Sequence, residues 1–280
     1  MYRFYIWFIA CFIKNKRLRH RFRSFKNMQY SMKKVSEIKW GVSYSVFDGE
    51  DLLEASIKSV RKSVDYINVV YQTVSWYGKK ADKNLVKKLE NLKDKGFVDE
   101  LIYFDPNLKL KAWKNETIKR NVGMNAARKK GVKYFMPMDV DEFYFEDELE
   151  YAKLQIINKG ITHAFCPQEI YGLLPTLKCI HTDKGRSFIN IFSRIYWFSQ
   201  LLGNKHTPCL VDSTRKISHY PWGKYYVLDS ISMQHMTIVR KEIREKFTNS
   251  SNLKLDRNYY NRKNYVIVDD YFNLMPIIER

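Results

Sequence analysis

The sequence lacks the cysteine patterns that build disulfide scaffolds or structural zinc sites. Its cysteines are scattered through 280 residues without a CxxC pair, at Cys11, Cys166, Cys179 and Cys209. This spacing argues against a disulfide framework or a metal finger, and it fits a reducing compartment best. The phosphate-binding motifs GxxxxGKS and GxxxxGKT are also absent, which counts against a phosphotransferase or nucleotidyltransferase of that type.

The apolar run at the N-terminus is too short to cross a bilayer. Residues 4–13 (FYIWFIACFI) would extend about 15 Å as a helix, half of the roughly 30 Å hydrocarbon core. The basic stretch KNKRLRHRFRSFK follows, and its Leu18, Phe22 and Phe25 share one helical face. We therefore predict that residues 1–30 bind an anionic membrane surface from the cytoplasmic side. A secretory signal peptide and a helix docked on the protein itself or on a partner are the alternatives.

Acidic residues are scarce relative to basic ones, with 30 Asp and Glu against 49 Lys and Arg and a net charge of +19. Residues 1–40 contain 11 of the basic residues and a single acid, Glu37, so more than half of the excess lies in the first seventh of the chain. A nucleic-acid-binding protein would explain the charge, but these cations adjoin an apolar segment and no recognised binding motif is present. We expect a membrane partner and no nucleic acid.

Past residue 38, short apolar runs alternate with helical periods. The runs predicted as strands are residues 40–47, 67–71, 101–104 and 132–138. Helices are predicted between them, the first with Asp48 as its cap and the others over about 81–95 and 113–130. Strand and helix repeats of this length predict βαβ units and a mainly parallel sheet, which is an α/β fold. No repeat or low-complexity linker divides the chain, so we predict one catalytic domain over residues 38–280 behind an N-terminal segment over 1–37.

The fourth predicted strand runs directly into the acidic cluster Asp139-Val140-Asp141-Glu142. Ligands of parallel sheets bind beyond the carboxyl ends of the strands, so this cluster lies where a site is expected. Asp139 and Asp141 project to the same side of an extended chain. Two carboxylates aligned in this way can bind a divalent cation, which can in turn hold a diphosphate. For so short a motif, solvated loop acids are the alternative interpretation.

The order of these motifs resembles the donor half of a GT-A-fold glycosyltransferase, near family 2 and related bacterial enzymes of lipopolysaccharide and capsule synthesis. A strand ending at Asp48, a helix with the residues KRNVG at 119–123, and the strand FMPMDVDEFY follow one another in that order. The likeness continues weakly to His235 and the stretch VRKEIREKF. It implies a Rossmann-like GT-A sheet with three parts: a donor half at 38–160, a mixed α+β acceptor half at 161–250 and a C-terminal tail at 251–280.

The resemblance also implies a metal and a nucleotide-sugar donor, most simply a UDP-sugar. Asp141 would bind Mn²⁺ or Mg²⁺ directly, Asp139 would contact the metal or the donor ribose, and His235 would complete the metal shell. Such a metal neutralises the charge that develops on a diphosphate leaving group. Asp48 and Gln72, at the ends of the first two strands, would line the pocket for the base and ribose.

Positive charge for the diphosphate is expected from Lys119 and Arg120, which adjoin Asn121 in the helix motif, and from Arg240 and Lys246 on a segment that closes over the donor. An exposed basic helix face is the alternative interpretation of Lys119 and Arg120. The other histidines have no motif context and are expected to be bystanders: His20, His163, His181, His206 and His219.

The sequence leaves the catalytic base open between two carboxylates, Asp212 and Glu169, with Asp183 as a third. Inverting transfer needs a carboxylate that deprotonates the acceptor hydroxyl, whereas retaining transfer by this fold does not. The acidic motif usual in the family is not recognisable here. Glu142, directly beside the metal pair, could also be considered, but it is equally expected to orient the metal loop. Aromatic rings between about 160 and 236 would stack on acceptor sugars, and an ordinary aromatic core is the alternative.

These features together predict a metal-dependent hexosyltransferase that moves a sugar from a nucleotide sugar to a glycan or lipid-linked acceptor at the cytoplasmic face of the plasma membrane. A metal-dependent nucleotidyltransferase or phosphotransferase and a basic nucleic-acid-binding protein are the alternative functions. The donor sugar, the acceptor and the anomeric outcome stay open at this stage.

Overall fold

The structure is a computed structural model, and it describes residues 16–180, 187–203, 212–218, 223–239 and 265–278. The helices in these ranges are α1 (Lys16–Glu37), α2 (Glu50–Arg61), α3 (Leu85–Asp94), α4 (Ala112–Lys129), α5 (Glu146–Lys159) and α6 (Met275–Ile278). The strands are β1 (Trp40–Val46), β2 (Tyr66–Tyr71), β3 (Glu100–Tyr103), β4 (Tyr134–Met138), β5 (Glu142–Phe143), β6 (His163–Ile170), β7 (Leu177–Cys179), β8 (Phe188–Arg194), β9 (Tyr225–Val227), β10 (Met233–His235) and β11 (Tyr265–Ile267). A 3-10 turn, Ser213–Arg215, lies between β8 and β9.

The larger sheet is mixed, with a parallel first half. Its strand order is β3-β2-β1-β4-β8-β6-β10-β5, and β9 pairs with β6 beside this path. The first four of these strands are parallel, and β8 runs antiparallel to both of its neighbours. The central strands are buried on both faces, as continuous apolar runs are in parallel sheets. The predicted α/β class, with a mainly parallel first half and a mixed second half, is confirmed.

The helices of the first half cover the sheet through single apolar stripes. In α3 the buried residues are Leu85, Leu89 and Leu92, which were predicted to share one face. In α2 the buried stripe includes Leu53, Ile57 and Val60. Each such side chain contributes roughly 2 kcal/mol when it is fully removed from water, so these stripes fix α2 and α3 against the sheet.

Helix α4 lies unusually close to the sheet at Gly123. A Cβ atom at this position would lie 1.9 Å from Ser43 Oγ on β1. The carbonyl oxygen of Gly123 accepts a hydrogen bond of 2.9 Å from Asn68 Nδ2 on β2. Because only glycine permits this approach, the polar residues one turn earlier on α4 are brought to the carboxyl ends of β1 and β4.

The predicted cap at Asp48 is not formed. The N-cap residue of α2 is Gly49, whose φ is 74°, and no side chain caps the helix. Glycine adopts this left-handed backbone without strain, so the chain turns one residue later than predicted. This correction removes helix capping as the explanation for Asp48, which lies just beyond the carboxyl end of β1.

Helix α1 continues past the predicted basic stretch and ends on the protein body. Val35 packs against the main core, and Trp40 Nε1 donates a hydrogen bond of 3.2 Å to the Val35 carbonyl. Within the described ranges, no helix is both long and apolar enough to span a membrane. The end of α1 is therefore docked on the body, while membrane attachment of residues 1–30 stays a prediction.

Candidate active site

The acidic cluster lies at the carboxyl edge of the parallel strands. β4 ends at Met138, and residues 139–141 lead into β5, which pairs antiparallel with β10. The backbone N–H of Met236 donates a 2.8 Å hydrogen bond to the Asp141 carbonyl, and His235 is the register partner of Glu142. Main-chain pairing thus brings His235 beside the cluster from a distant part of the sequence.

Asp139 is held between two buried arginines. Arg120 Nη2 on α4 donates to Asp139 Oδ1 at 2.9 Å. Arg215 Nη2, from the 3-10 turn, donates to the other carboxylate oxygen. The side chain of Asp139 is 31% exposed, whereas both guanidinium groups are buried. Charge-assisted hydrogen bonds from two sides therefore orient this carboxylate before any ligand arrives.

Glu142 is buried below Asp139 and shares Arg215 with it. Arg215 Nη1 donates to Glu142 Oε2 at 2.7 Å, and the Asp139 backbone N–H donates to the same oxygen at 3.2 Å. Burial raises the pKa of Glu142 to about 7, because the loss of solvation outweighs the attraction of Arg215. Glu142 thus ties the backbone of the acidic loop to the second half of the chain.

Asp141 and His235 form the pair that fits a divalent metal. The side chain of Asp141 is 1% exposed, and its Oδ1 lies 3.8 Å from His235 Nε2, a separation that one ion with bonds of about 2.1 Å could bridge. Gln168 Nε2 contacts the other ring nitrogen of His235 and orients the ring. The described residues contain no group of three or more His, Cys, Asp or Glu suited to a metal. These two protein ligands would be completed by phosphate oxygens and water. The carboxylate suits Mg²⁺ or Mn²⁺, and the imidazole, a ligand of transition metals, favours Mn²⁺.

Lys119 is buried beside this cluster at the end of β1. Its Nζ donates a 2.7 Å hydrogen bond to the Val46 carbonyl and lies 5.6 Å from the centroid of the Trp76 ring. Burial, and secondarily the charge of Arg120, lowers the pKa of Lys119 from 10.5 to about 7. Since Lys119 and Arg120 are both buried, the alternative of an exposed basic helix face is excluded.

The substitution Lys119→Met should reveal this lowered pKa as a pH-dependent change in stability. Between pH 7 and 10.5 the unfolded chain binds more protons at Lys119 than the folded chain does, so wild-type stability rises with pH by about 1.4 kcal/mol per unit. The methionine variant lacks this gain. We therefore expect the free energy of unfolding of Lys119→Met, relative to that of wild type, to fall by about 1.4 kcal/mol per pH unit between pH 7 and 9. Urea unfolding at a series of pH values measures this difference.

The matched control is Lys130→Met, which removes an exposed lysine at the end of the same helix. Its effect on the free energy of unfolding should be small and equal at both pH values. A constant difference between Lys119→Met and wild type across this range would contradict a buried, readily deprotonated Lys119.

The predicted nucleotide-binding residues take different positions. Gln72 is buried at the end of β2, where its Nε2 donates to the Val74 carbonyl at 2.8 Å and its Oε1 has no hydrogen-bond partner among the described residues. Asn121 instead pairs with the backbone of Leu201, donating to its carbonyl at 3.0 Å and accepting from its N–H at 2.9 Å. The structure therefore gives Asn121 the role of fastening the segment after β8 to α4.

Of the predicted bases, Asp212 lies in the acidic cluster, whereas Asp183 lies outside the described residues. Its carboxylate accepts hydrogen bonds from the Thr214 backbone N–H at 2.9 Å and from Thr214 Oγ1 at 2.8 Å, and so stabilises the 3-10 turn. It also lies 3.3 Å from Arg215 Nε, as an ion pair. Asp212 is therefore connected to Asp139 through one shared arginine.

Glu169 projects away from the metal-binding pair. It is the register partner of Gln234 on β10 and forms an ion pair of 3.4 Å with Lys178. Successive side chains of a strand point to opposite faces, so Glu169 lies on the face opposite to that of His235. The structure brings Asp212, and not Glu169, to the candidate site.

Three contributors to the site were missed by the sequence analysis. They are Arg215, Glu116 and Trp76. Glu116 accepts a 2.8 Å hydrogen bond from Arg120 Nη2 one helical turn away, a spacing that the sequence does show. The predicted diphosphate contacts Arg240 and Lys246 lie outside the described residues.

Comparison with known proteins yields distant structural likeness only. No protein-family model and no curated protein matches the chain. A crystal structure of S. aureus TarS 1-349 in complex with UDP is 13% identical over 48% of this chain and 36% of that one, with a TM-score of 0.35. The complex with UDP-GlcNAc is 12% identical over 48% and 35%, with a TM-score of 0.34. TarS 1-349 alone is 12% identical over 80% and 68%, with a TM-score of 0.42.

The chain spans about a third of the first of these structures. Because all three TM-scores lie below 0.5, the interpretation of the site is based on its own geometry. That geometry consists of an oriented carboxylate, a buried aspartate paired with a partly exposed histidine, and a buried lysine at the carboxyl ends of β1 and β4.

Proposed function

We propose that the chain is a metal-dependent glycosyltransferase that moves a sugar from a nucleotide sugar, with a UDP-sugar favoured, to a glycan or lipid-linked acceptor. The observation that carries the proposal is the meeting of Asp141 with His235 beside Asp139 at the carboxyl edge of the sheet. Open α/β sheets bind their ligands at this edge. The resemblance noted in the sequence adds lipopolysaccharide or capsule synthesis as the setting.

The donor diphosphate would lie over Asp141 and His235. These two residues would hold Mn²⁺ or Mg²⁺, which when bound supplies positive charge to the departing diphosphate. Lys119 lies beside the same edge and gains a proton readily near neutral pH, so an arriving phosphate would favour its charged form. Asp139, fixed by its two arginines, presents an exposed carboxylate edge suited to accept hydrogen bonds from the donor ribose.

On the acceptor side, we assign Asp212 as the base of an inverting transfer. It is the predicted base that lies in the cluster, and its side chain is partly exposed. A partly exposed carboxylate at this position could take the proton of an acceptor hydroxyl. Residues 1–30 would keep the enzyme on the cytoplasmic face of the plasma membrane, where a lipid-linked acceptor is available.

Calorimetric titration of UDP tests the donor site. We expect binding in the presence of Mn²⁺ that is weakened at least about 100-fold, or roughly 2.7 kcal/mol, by EDTA or by Asp141→Asn. The control Asp229→Asn makes the same chemical change at an exposed carboxylate and should leave the affinity unchanged.

The outcomes of this titration separate the parts of the proposal. Binding of another nucleotide with the same metal dependence would correct the donor class alone. Equal UDP binding with and without the metal would overturn the assigned roles of Asp141 and His235. If no nucleotide binds, the glycosyltransferase proposal is wrong.

A further inference from the structure

The edge of the sheet opposite the candidate site carries a row of cations. β4 ends at the site but begins at Tyr134 on this opposite edge, next to Lys133. The Lys133 N–H donates to the Lys39 carbonyl at 2.8 Å, and the Ile195 N–H donates to the Lys133 carbonyl at 2.9 Å. Since Ile195 follows Arg194, three cationic residues stand side by side where β1, β4 and β8 meet this edge.

The row continues across β6 to β9. The Arg194 N–H donates to the Thr162 carbonyl at 2.7 Å, and the Thr162 N–H donates to the Lys224 carbonyl at 2.8 Å. With neighbouring strands about 4.8 Å apart, the row extends for roughly 20 Å. We name as the basic edge Lys39, Lys133, Arg194 and Lys224, together with Lys129, Lys130 and Lys159 at the adjoining helix ends.

Among the described residues, cations outnumber acids along the basic edge. Residues 129–134, 159–163, 194–199 and 223–227 contain no Asp or Glu. Glu37 precedes Lys39 by two residues, but it forms ion pairs with Lys33 and Lys34. Two acids lie at the starts of the neighbouring strands: Asp65 accepts from the Trp40 N–H and Asp99 from the Ile67 N–H, each at 2.7 Å. Asp99 also forms an ion pair of 2.7 Å with Arg61. The positive charge of this edge therefore faces solvent.

Exposed aromatic side chains project from the same edge. Trp197 is 85% exposed, although its neighbours Tyr196 and Phe198 stack on each other with centroids 5.5 Å apart. The turn is closed by a 3.1 Å hydrogen bond from the Ser199 N–H to the Tyr196 carbonyl. Tyr226 is also exposed and lies below the Lys159 ammonium group, 4.2 Å from it. A rigid turn thus presents an indole ring to solvent among cations.

We propose that the basic edge and Trp197 form a second membrane-binding surface that docks on anionic lipid. Lysine and arginine near an anionic leaflet each gain about 1 kcal/mol, and tryptophan prefers the interface between headgroups and acyl chains. A nucleic-acid duplex, whose bases are already stacked on one another, would use the charge but would not require an apolar ring exposed to this extent. Helix α1 includes residues 16–30 of the predicted membrane segment and ends two residues before Lys39, so both surfaces can contact one bilayer.

This docking sets the direction of the candidate site. β4 has five residues and extends roughly 16 Å between the two edges. The carboxyl edge therefore faces away from the bilayer. Where the acceptor group lies rests on the proposed function. The group would lie at the outer end of a glycan chain, away from the bilayer, and not beside the lipid headgroup.

Flotation of the full-length protein with vesicles of phosphatidylserine and phosphatidylcholine tests the surface. The triple variant Lys133→Glu, Arg194→Glu, Lys224→Glu should float with an apparent affinity at least about tenfold lower than wild type, and more so at low salt. The control Lys83→Glu, Lys87→Glu, Lys93→Glu makes the same charge change at exposed lysines near the other end of the sheet and keeps residues 1–30. We expect it to bind within a factor of about two of wild type.

A second measurement follows Trp197 directly. Brominated lipids should quench the tryptophan emission of wild type more than that of Trp197→Phe. Equal quenching, or equal loss of flotation in both triple variants, overturns the proposal. So does a triple variant that keeps its vesicle affinity but loses affinity for duplex DNA, which would assign the edge to nucleic acid. None of these results depends on UDP binding, so failure here is distinct from failure of the donor site.

Discussion

We expect Arg215→Met to lower the free energy of unfolding by about 3 to 5 kcal/mol, as removal of one partner from a buried ionic cluster does. Arg215 is buried and contacts Asp139, Glu142 and Asp212. Methionine fills much of the same volume but leaves Glu142, itself buried, without its cation. Urea unfolding at pH 8 measures the loss, and Arg194→Met, at an exposed arginine, should change stability by less than about 1 kcal/mol.

The loss should depend on pH because of Glu142. Its folded pKa of about 7 lies above its usual value, so its protonated form is favoured in the folded chain at low pH. Without Arg215, which lowers this pKa, the preference for the protonated form increases. We therefore expect the variant to lose less stability at pH 5 than at pH 8 and to recover part of the loss when combined with Glu142→Gln. Equal losses at both pH values would contradict the role of the buried carboxylate.

Much of the first half could be predicted from sequence because local pattern and tertiary environment agree there. Strands such as β4 are continuous apolar runs, and α3 carries its leucines at helical spacing, so the local pattern determines both the element and its buried face. The position of Asp139 and Asp141 followed from the same logic, because a strand of a parallel sheet that ends in acids places them at its ligand-binding edge.

The second half was predicted less well because its geometry depends on long-range pairing. No local signal assigns Arg215 to Asp139, since their contact requires the 3-10 turn to fold against α4. Glu169 was considered a base because of its residue type, but the register of β6 with β10 turns it away from His235. The same holds for Asn121, whose partner, the Leu201 backbone, is supplied by a distant segment.

The second large effect is expected for Gly123→Ala. Alanine at an ordinary helix position is favoured over glycine by about 1 kcal/mol. The sign of the change in stability therefore shows whether α4 packs closely on β1 at this position. Here the new Cβ would lie 1.9 Å from Ser43 Oγ, 2.9 Å from Ser43 Cβ and 3.0 Å from Val70 Cγ2. α4 or β1 must move, and we expect stability to fall by about 1 to 3 kcal/mol, as in other overpacked interiors. Thermal and urea unfolding measure this change.

A double-mutant cycle connects this contact to the site. Ser43→Gly removes both serine atoms that the new methyl group would strike, so Gly123→Ala should cost at least about 1 kcal/mol less in that background. Arg120 precedes Gly123 by one helical turn and holds Asp139, so displacement of α4 should also weaken metal-dependent UDP binding by the single variant, and Ser43→Gly should restore part of it. If Gly123→Ala stabilises the protein, α4 does not pack this closely on β1. If stability falls but nucleotide affinity is unchanged, the arginine pair does not position Asp139 for the donor.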